Sequence, residues 1–392
     1  MIPKVKINFS NGAIGSVKPA EDGSSALLAV GTAEEEVVKV DDKDKTISIL
    51  ELGTVYTVTQ LSDFVSKFPL KQEKNKKLCE AVADFYKYAP NGTLLSFMVV
   101  SDSDKSTLYA SENGALEKLM DNVSHDVHFV IDATGPKDEN PDLLLQLTDI
   151  NKQVEDLGEK YSTPFFVIVD STAKSVDLTK SNFNRVACLY MSQGKDKKSC
   201  TSLFGGRLAS IPVHRCVART KDGAFSYDEM YIGNNIATNS EATLANDKGY
   251  ITVRTFPGKA GYYITDDLMA TATKDDYGVI ARRRVADKAY RVAYNTMVDF
   301  IGDEIALTAD GEIAAHEIKK IQNALERALE TQMTNLGNLS VDPSDENDKG
   351  MQVIIDEKQN ILSTSALNVS LRIRPYGYAK YINVDLGFQT NK

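Results

Sequence analysis

Four near-continuous apolar runs, set apart by amphipathic stretches, restrict this chain more than any other feature. They are TLLSFMVV (93–100), DVHFVIDA (126–133), PFFVIVDS (164–171) and RVACLYMS (185–192). None alternates apolar with polar, so each reads as a strand covered on both faces. Between them, 113–123 carries Leu116, Leu119 and Met120. The stretch 141–160 places Leu143, Leu144, Leu147, Ile150, Val154 and Leu157 at helical spacing, with Pro141 suited to a first turn. Such alternation predicts an α/β core, a mostly parallel sheet covered by helices. SALLAVGTA (25–33) reads as a further buried strand of that core, ending in a Gly turn. The stretch 200–220 is expected to hold a helix interrupted by Gly205–Gly206 and Pro212.

A second block follows. Two long helices are predicted over 285–307 and 309–336, the latter with Ile313, Ile318, Ile321, Leu325, Ala328 and Leu329 on one stripe. A charged turn (337–350) leads to strands at 351–356, 366–375 and 378–388, which makes this block α+β. The ends differ from both blocks. IPKVKINF (2–9) alternates as a strand, and a Gly/Ser/Pro-rich connection separates it from the body. The expected division is an N-terminal β arm and linker over 1–24, an α/β core over 25–245, a C-terminal α+β domain over 246–365 and a C-terminal β arm over 366–392. The last arm alternates, with Leu367, Val369, Leu371 and Ile373 on one face.

Little in the sequence points to chemistry. The net charge of −10 opposes non-specific nucleic-acid binding, which needs clustered cations. Cys79, Cys188, Cys200 and Cys216 form no CxxC pair and read as reduced thiols. The first residues lack an apolar signal core, and no apolar run reaches the roughly 20 residues of a membrane span. No phosphate-cradling or nucleophile-elbow motif follows a strand. Asp132 and Asp170 end predicted parallel strands, where α/β folds place ligand groups, so a Mg²⁺-dependent enzyme is one reading. Strand-ending acids that only cap the next turn are the other. His125 and His128, three apart on a strand, face opposite ways and cannot share a metal. His214 and Cys216 share a face only in extended backbone, with no orienting acid assignable. Residues 345–356 match a calcium loop in part, with Lys349 at a ligand position. Arg282, Arg283 and Arg284 form a dense basic cluster, read as a docking or tube-facing surface, as a solvated helix start, or as ion-paired with Asp275, Asp276 and Asp287.

Four stretches carry a resemblance. GYITVRTFPGKAGYYITDDLMA (249–270), DKAYRVAYNTMVDFIGDEI (287–305) and SALNVSLRIRPYGYAKYINVDLGF (365–388) resemble segments of the contractile tail sheath family, and SALLAVGTA resembles the strand after that family's N-terminal arm. The likeness covers mainly the half from Leu203 onward. It implies a structural subunit, not an enzyme, forming stacked hexameric rings around an inner tail tube of a phage tail or a bacterial injection system. Contraction by subunit rearrangement would drive the tube through a target envelope. It also implies that Lys4, Val5, Lys6, Ile7 and Phe9 at one end, and Val369, Leu371, Ile373, Tyr381 and Val384 at the other, join neighbouring subunits by strand addition. No cofactor is implied. The implied partners are further copies of the chain, the tube protein, and baseplate and terminator proteins, with no nucleic acid and no membrane insertion. A single-ring terminator or baseplate protein is the related alternative. The implied location is the virion tail or assembled apparatus, after synthesis in the bacterial cytoplasm. The stretch Val253–Asp267 is expected to shape the C-terminal domain where it packs on the tube.

Overall fold

The computed structural model describes residues 21–388 apart from 41–42, 71, 124–126, 138–141 and 226. The N-terminal strand residues Lys4, Val5, Lys6, Ile7 and Phe9, with His125 and Pro141, lie outside them. The chain divides into two compact units. The first runs to Pro212 and resumes over Val217–Gly278, and the second takes Val213–Cys216 and everything from Val279. The main division therefore falls at 278/279, later than the expected 245/246. Backbone bridges explain the shift. Ile251 pairs with Leu189 and Tyr262 with Phe225, which ties residues 250–264 to the first unit.

The first unit opens with β1 (Ser25–Val30), the hairpin β2 (Glu34–Val40) and β3 (Lys43–Leu50), and β4 (Val55–Val58). Helices α1 (Leu61–Lys67) and α2 (Gln72–Tyr86) lead to β5 (Leu95–Val100), then α3 (Ala115–Asn122), β6 (Phe129–Ala133), α4 (Leu143–Lys160) and β7 (Phe166–Asp170). Next come β8 (Asn182–Phe183), β9 (Val186–Leu189), β10 (Ser192–Gln193), β11 (Lys198–Ser199) and α5 (Thr201–Ala209). Strands β12 (Met230–Ile232) and β13 (Asn235–Ile236), α6 (Asn239–Asn246), the hairpin β14 (Val253–Phe256) and β15 (Lys259–Ile264), and β16 (Ala270–Thr271) complete it.

The main sheet has the order β4-β5-β1-β6-β7-β9. All its pairs are parallel except β4 with β5 at the edge. Period two sends alternate side chains of each strand to opposite faces. Ala26, Leu28, Met98, Val130, Val167 and Val169 pack with Leu116, Leu119, Leu147, Ile150 and Val154 of α3 and α4. Helices α2 and α5 pack against the sheet and each other, with Leu27, Phe97, Ile131, Phe129 and Phe166 also fully buried. A sheet buried on both faces is the one the continuous apolar runs demand. Each large apolar side chain fully buried there contributes about 1.5–3 kcal/mol.

The glycine pair does not break α5. Helix runs unbroken through Gly205 and Gly206 to Ala209. A Cβ on Gly205 would lie 2.4 Å from Ile131 Cδ1, and one on Gly206 2.1 Å from the carbonyl oxygen of Phe85. These glycines exist for close approach to β6 and α2, and that tertiary gain offsets their low helix propensity of about 1 kcal/mol each.

The second unit contains α7 (Ile280–Met297), α8 (Ala315–Leu329), β17 (Met351–Ile355), α9 (Ile361–Thr364) and β18 (Val369–Ile373). Helix α7 starts five residues before the expected Val285 and stops at Met297, short of Leu307. Helix α8 starts at Ala315 and runs into a π turn over Glu330–Thr334. Ile313 lies before it, bridged to Leu307, and packs with Ile321 and Ile355 in a small cluster. The larger cluster joins Val285, Ala289 and Val292 of α7, Leu325 and Leu329 of α8, Met333 and Val353. Strands β17 and β18 form an antiparallel hairpin sheet in register Met351↔Ile373 to Ile355↔Val369.

Candidate assembly surfaces

Asp132 and Asp170 do end parallel strands, on β6 and β7, and both are buried. Their surroundings decide what they can do. Asp132 accepts hydrogen bonds from Tyr109 Oη at 2.6 Å, from Thr134 N at 3.0 Å and from Thr134 Oγ1 at 2.6 Å. Lys137 Nζ lies 2.7 Å from its Oδ2, on a side chain only 11% exposed. Burial alone raises this carboxyl's pKa, but the Lys137 ammonium and the hydroxyl donors outweigh it, and the net shift is downward. Lys137 is itself fixed. Its N–H donates to the carbonyl of Asp170, and its carbonyl accepts from Thr172 N at 2.9 Å. The Asp132 carboxylate is thus already neutralised by a lysine ammonium, which favours its capping, ion-paired reading over a metal site. Asp170 has less support. Its Oδ1 accepts from Ser171 N at 3.0 Å, and burial pushes its carboxyl up to about 7 against the hydrogen bonds from Ser199 and Ser171, with Asp132 nearby adding to the rise.

The other titratable candidates are absorbed into local packing. The imidazole Nδ1 of His214 is 3.3 Å from Asn338 Nδ2, its ring is 5.1 Å from Tyr376, and its carbonyl accepts from Tyr378 Oη at 2.5 Å. Cys216 is a free, half-buried thiol, and Cys79, Cys188 and Cys200 are also unbridged. Burial raises the Cys188 and Cys200 thiols far above neutrality, which makes them inert. The partial calcium loop is divided among other roles. Lys349 pairs with Glu330 at 2.7 Å, Asp348 pairs with Arg374, and 351–355 is β17. The basic cluster is not an exposed patch. Arg283 and Arg284 are buried, Arg282 is half-buried, and Arg283 donates to Asp287 Oδ1 from Nε at 3.0 Å and from Nη2 at 2.7 Å. The Arg283–Asp287 pair is the ion pairing expected of this cluster, while the burial of Arg283 and Arg284 corrects the solvated helix start.

The C-terminal segment behaves differently. Val369, Leu371 and Ile373 are in β18, half-buried against the second unit's core. Beyond them, Ser340 N–H donates to the Arg374 carbonyl, and Tyr376 and Tyr378 rest on His214. From Tyr381 the chain is bare. Tyr381 is 89% exposed, Ile382 78%, Val384 79%, Leu386 97% and Phe388 102%. Ile382, Val384, Leu386 and Phe388 are spaced by two, so in extended backbone all four point the same way. No strand or helix is assigned over 374–388. This strand-like apolar stripe has no covering partner among the described residues.

The β14–β15 hairpin contains the Val253–Phe256 and Lys259–Ile264 stretches and belongs to the first unit, not to the C-terminal one expected for it. Its tip is Pro257–Gly258, with Gly258 at φ +78° after a proline, as a type II turn requires. Sequence reading saw the turn but missed the two cations beside it, Arg254 and Lys259. It also missed Lys137, for which the only signal was a lysine a few residues beyond a strand-ending acid.

Residues 2–268 match the family described as DUF2586, N-terminal domain, and residues 276–392 match DUF2586, C-terminal domain. No curated protein matches the sequence. Among solved structures, all of this chain aligns with 99% of a chain from the anti-feeding prophage (AFP) baseplate, at 15% identity and a TM-score of 0.65. A chain of an extracellular contractile injection system, the PVC sheath complex in its contracted state, gives 14% identity and a TM-score of 0.63 over 99% of this chain and 97% of that one. The sheath tail protein of Desulfitobacterium hafniense gives 12% identity and 0.51 over 90% and 93%. The likeness establishes a shared fold, that of contractile sheath proteins, over nearly the whole chain.

Proposed function

The chain belongs to the DUF2586 family, and from that premise we propose that it is the structural subunit of a contractile sheath. Copies assemble as stacked hexameric rings around an inner tube and drive that tube outward by rearranging their packing. The observation that carries this reading is the bare, alternating apolar stripe over Ile382–Phe388, on a chain whose fold is shared with sheath proteins. Leaving four large apolar side chains in water costs about 1.5–3 kcal/mol each relative to burial, so the segment gains most by adding to a neighbour's sheet. The arm is Tyr381 to Phe388, while Val369, Leu371 and Ile373 form its anchor in the hairpin and Lys4, Val5, Lys6, Ile7 and Phe9 form the second arm. Main-chain hydrogen bonds then link subunits that remain free to rotate, and contraction releases free energy stored at assembly without nucleotide. The AFP baseplate is described as sixfold symmetrised, which supports the hexameric ring. The tube, baseplate and terminator proteins are the remaining partners, and the assembled apparatus is the site of action.

Deleting residues 381–392 tests this. The shortened chain keeps its Tm and stays monomeric by sedimentation velocity at concentrations where the intact chain forms large polymers. Equal polymerisation of the two would remove the arm from the account. The rival reading, a metal-dependent enzyme on Asp132 and Asp170, is disfavoured by the Lys137 ammonium paired with Asp132. It requires Mg²⁺ binding that Asp132→Asn abolishes, which isothermal calorimetry reads directly.

A further inference from the structure

The β14–β15 hairpin is held from both sides. A bulge separates the pairs Arg254↔Tyr263 and Phe256↔Lys259, which takes Thr255 out of the ladder. The amide of Asn239, in the first turn of α6, replaces the missing strand. Its Oδ1 accepts from Thr255 N at 2.9 Å and its Nδ2 donates to Thr255 O at 3.0 Å. On the other strand, the bulge holds Gly261 at φ +85° and pairs Tyr262 with Phe225, whose N–H donates to the Tyr262 carbonyl at 2.7 Å. The loop before Phe225 is fixed in turn. Buried Arg207 donates to the carbonyls of Asp222, Gly223 and Ala224 and lies against the rings of Tyr88 and Phe225.

This rigid base carries an exposed basic, aromatic tip. Arg254 and Lys259 are exposed, and Phe256 and Tyr263 meet edge to face at 5.3 Å. The Arg254 guanidinium sits 4.3 Å over the Phe256 ring, and Lys259 Nζ is 5.9 Å from both rings. Those ring contacts restrict the two cations, yet neither has an ion-pair partner among the described residues. Exposed, preordered cations on a hairpin tip, in a chain of net charge −10, complement an acidic surface of another copy.

The second unit offers the complement. Loop residues 341–347 are exposed and include Asp342, Asp345 and Glu346. The loop is shaped by its own side chains. Asp342 Oδ1 accepts from Ser344 N at 2.9 Å, Asp345 Oδ1 from Asn347 N at 2.9 Å and Asp348 Oδ1 from Gly350 N at 3.0 Å. Hydrogen bonds from Ser344 hold the Asp342 carboxyl below its usual range, so it stays charged. Asp345 and Glu346 have no ion pair among the described residues.

We propose that the β14–β15 tip docks onto the acidic loop 341–347 of a neighbouring copy, with Arg254 and Lys259 facing Asp345 and Glu346. The inference deepens the sheath reading by naming a second, electrostatic contact between copies, separate from the C-terminal arm. Two charge pairs on preordered loops set register and speed encounter more than they add affinity, and they weaken as salt screens them.

Zero-length carbodiimide cross-linking of an equal mixture of ordinary and isotope-labelled full-length chain tests it. Mass spectrometry is expected to show Lys259 joined to Asp345 or Glu346 in peptides of mixed isotope. Cross-links of unmixed isotope only, no cross-link of Lys259 to that loop, or capture of Lys259 by an added tube protein instead would each overturn the proposal. A charge swap gives an independent arm. Arg254→Glu with Lys259→Glu is expected to lower polymer yield at least tenfold, and adding Asp345→Lys with Glu346→Lys to restore it. Unchanged yield in the first variant, with its fold intact by circular dichroism, contradicts the contact. If the intact chain makes no tubes, the sheath reading fails, and mixed-isotope cross-links in concentrated soluble protein still decide this one.

Discussion

Asp132 and Asp170 share a strand-end position and differ in what reaches them. Asp132 has a lysine and three hydrogen bonds, whereas Asp170 has the Ser199 side chain and the next residue's N–H, with no ammonium in contact among the described residues. Replacing Lys137 by Met strips the counter-charge from a buried carboxylate and is expected to cost about 3–5 kcal/mol in urea unfolding. A loss under about 1 kcal/mol would show that Asp132 is solvated or protonated in the fold. Asp170 predicts a pH effect of definite sign. Its folded pKa of about 7 lies above the unfolded value of about 3.9, so the folded state holds the proton more tightly. That contribution is complete below about pH 4 and is lost as pH rises to about 7. Asp170→Asn removes the titration, so its Tm relative to the parent rises between about pH 4 and 7 and levels off above. A pH-independent difference would refute the assignment. Both acids were legible in the sequence as strand ends. The lysine that neutralises one of them was not, because a loop conformation, not a spacing rule, carries Lys137 back to the sheet.

At the scale of elements, continuous apolar runs identified the parallel strands because burial on both faces leaves no room for polar alternation. Helix limits were harder to read. The Ile313 position continues the stripe of α8, yet a bridge to Leu307 takes it out of the helix. Gly205 and Gly206 look like a break in one dimension and are a close-packing face in three. Gly206→Ala is expected to destabilise the first unit by about 1–3 kcal/mol, since its new methyl meets backbone that cannot rotate away. A neutral or raised Tm would mean that α5 and α2 separate at no cost. For the hairpin, Asn239→Ala leaves Thr255 without either partner and is expected to increase hydrogen exchange at the tip while global Tm falls only slightly. Unchanged exchange there would show that the tip is ordered without the amide. The terminal alternation was legible as strand, but sequence could not separate Val369–Ile373, paired within the chain, from Tyr381–Phe388, which has no strand partner among the described residues.

For the whole molecule, the account rests on a division of labour. Two packed units supply the bodies, and the proposed function assigns the links between copies to exposed segments. The α/β core was legible from the sequence, and the likeness to the fold of sheath proteins spans it from end to end. The boundary at 278/279 was not, since bridges from residues 251 and 262 back to the first unit leave no mark in composition. Negative-stain electron microscopy of the purified, concentrated chain, with and without an inner tube protein, tests the central claim most directly. The account predicts long tubes of stacked sixfold rings. Monomers or single closed rings at every concentration, with or without the tube protein, would contradict it.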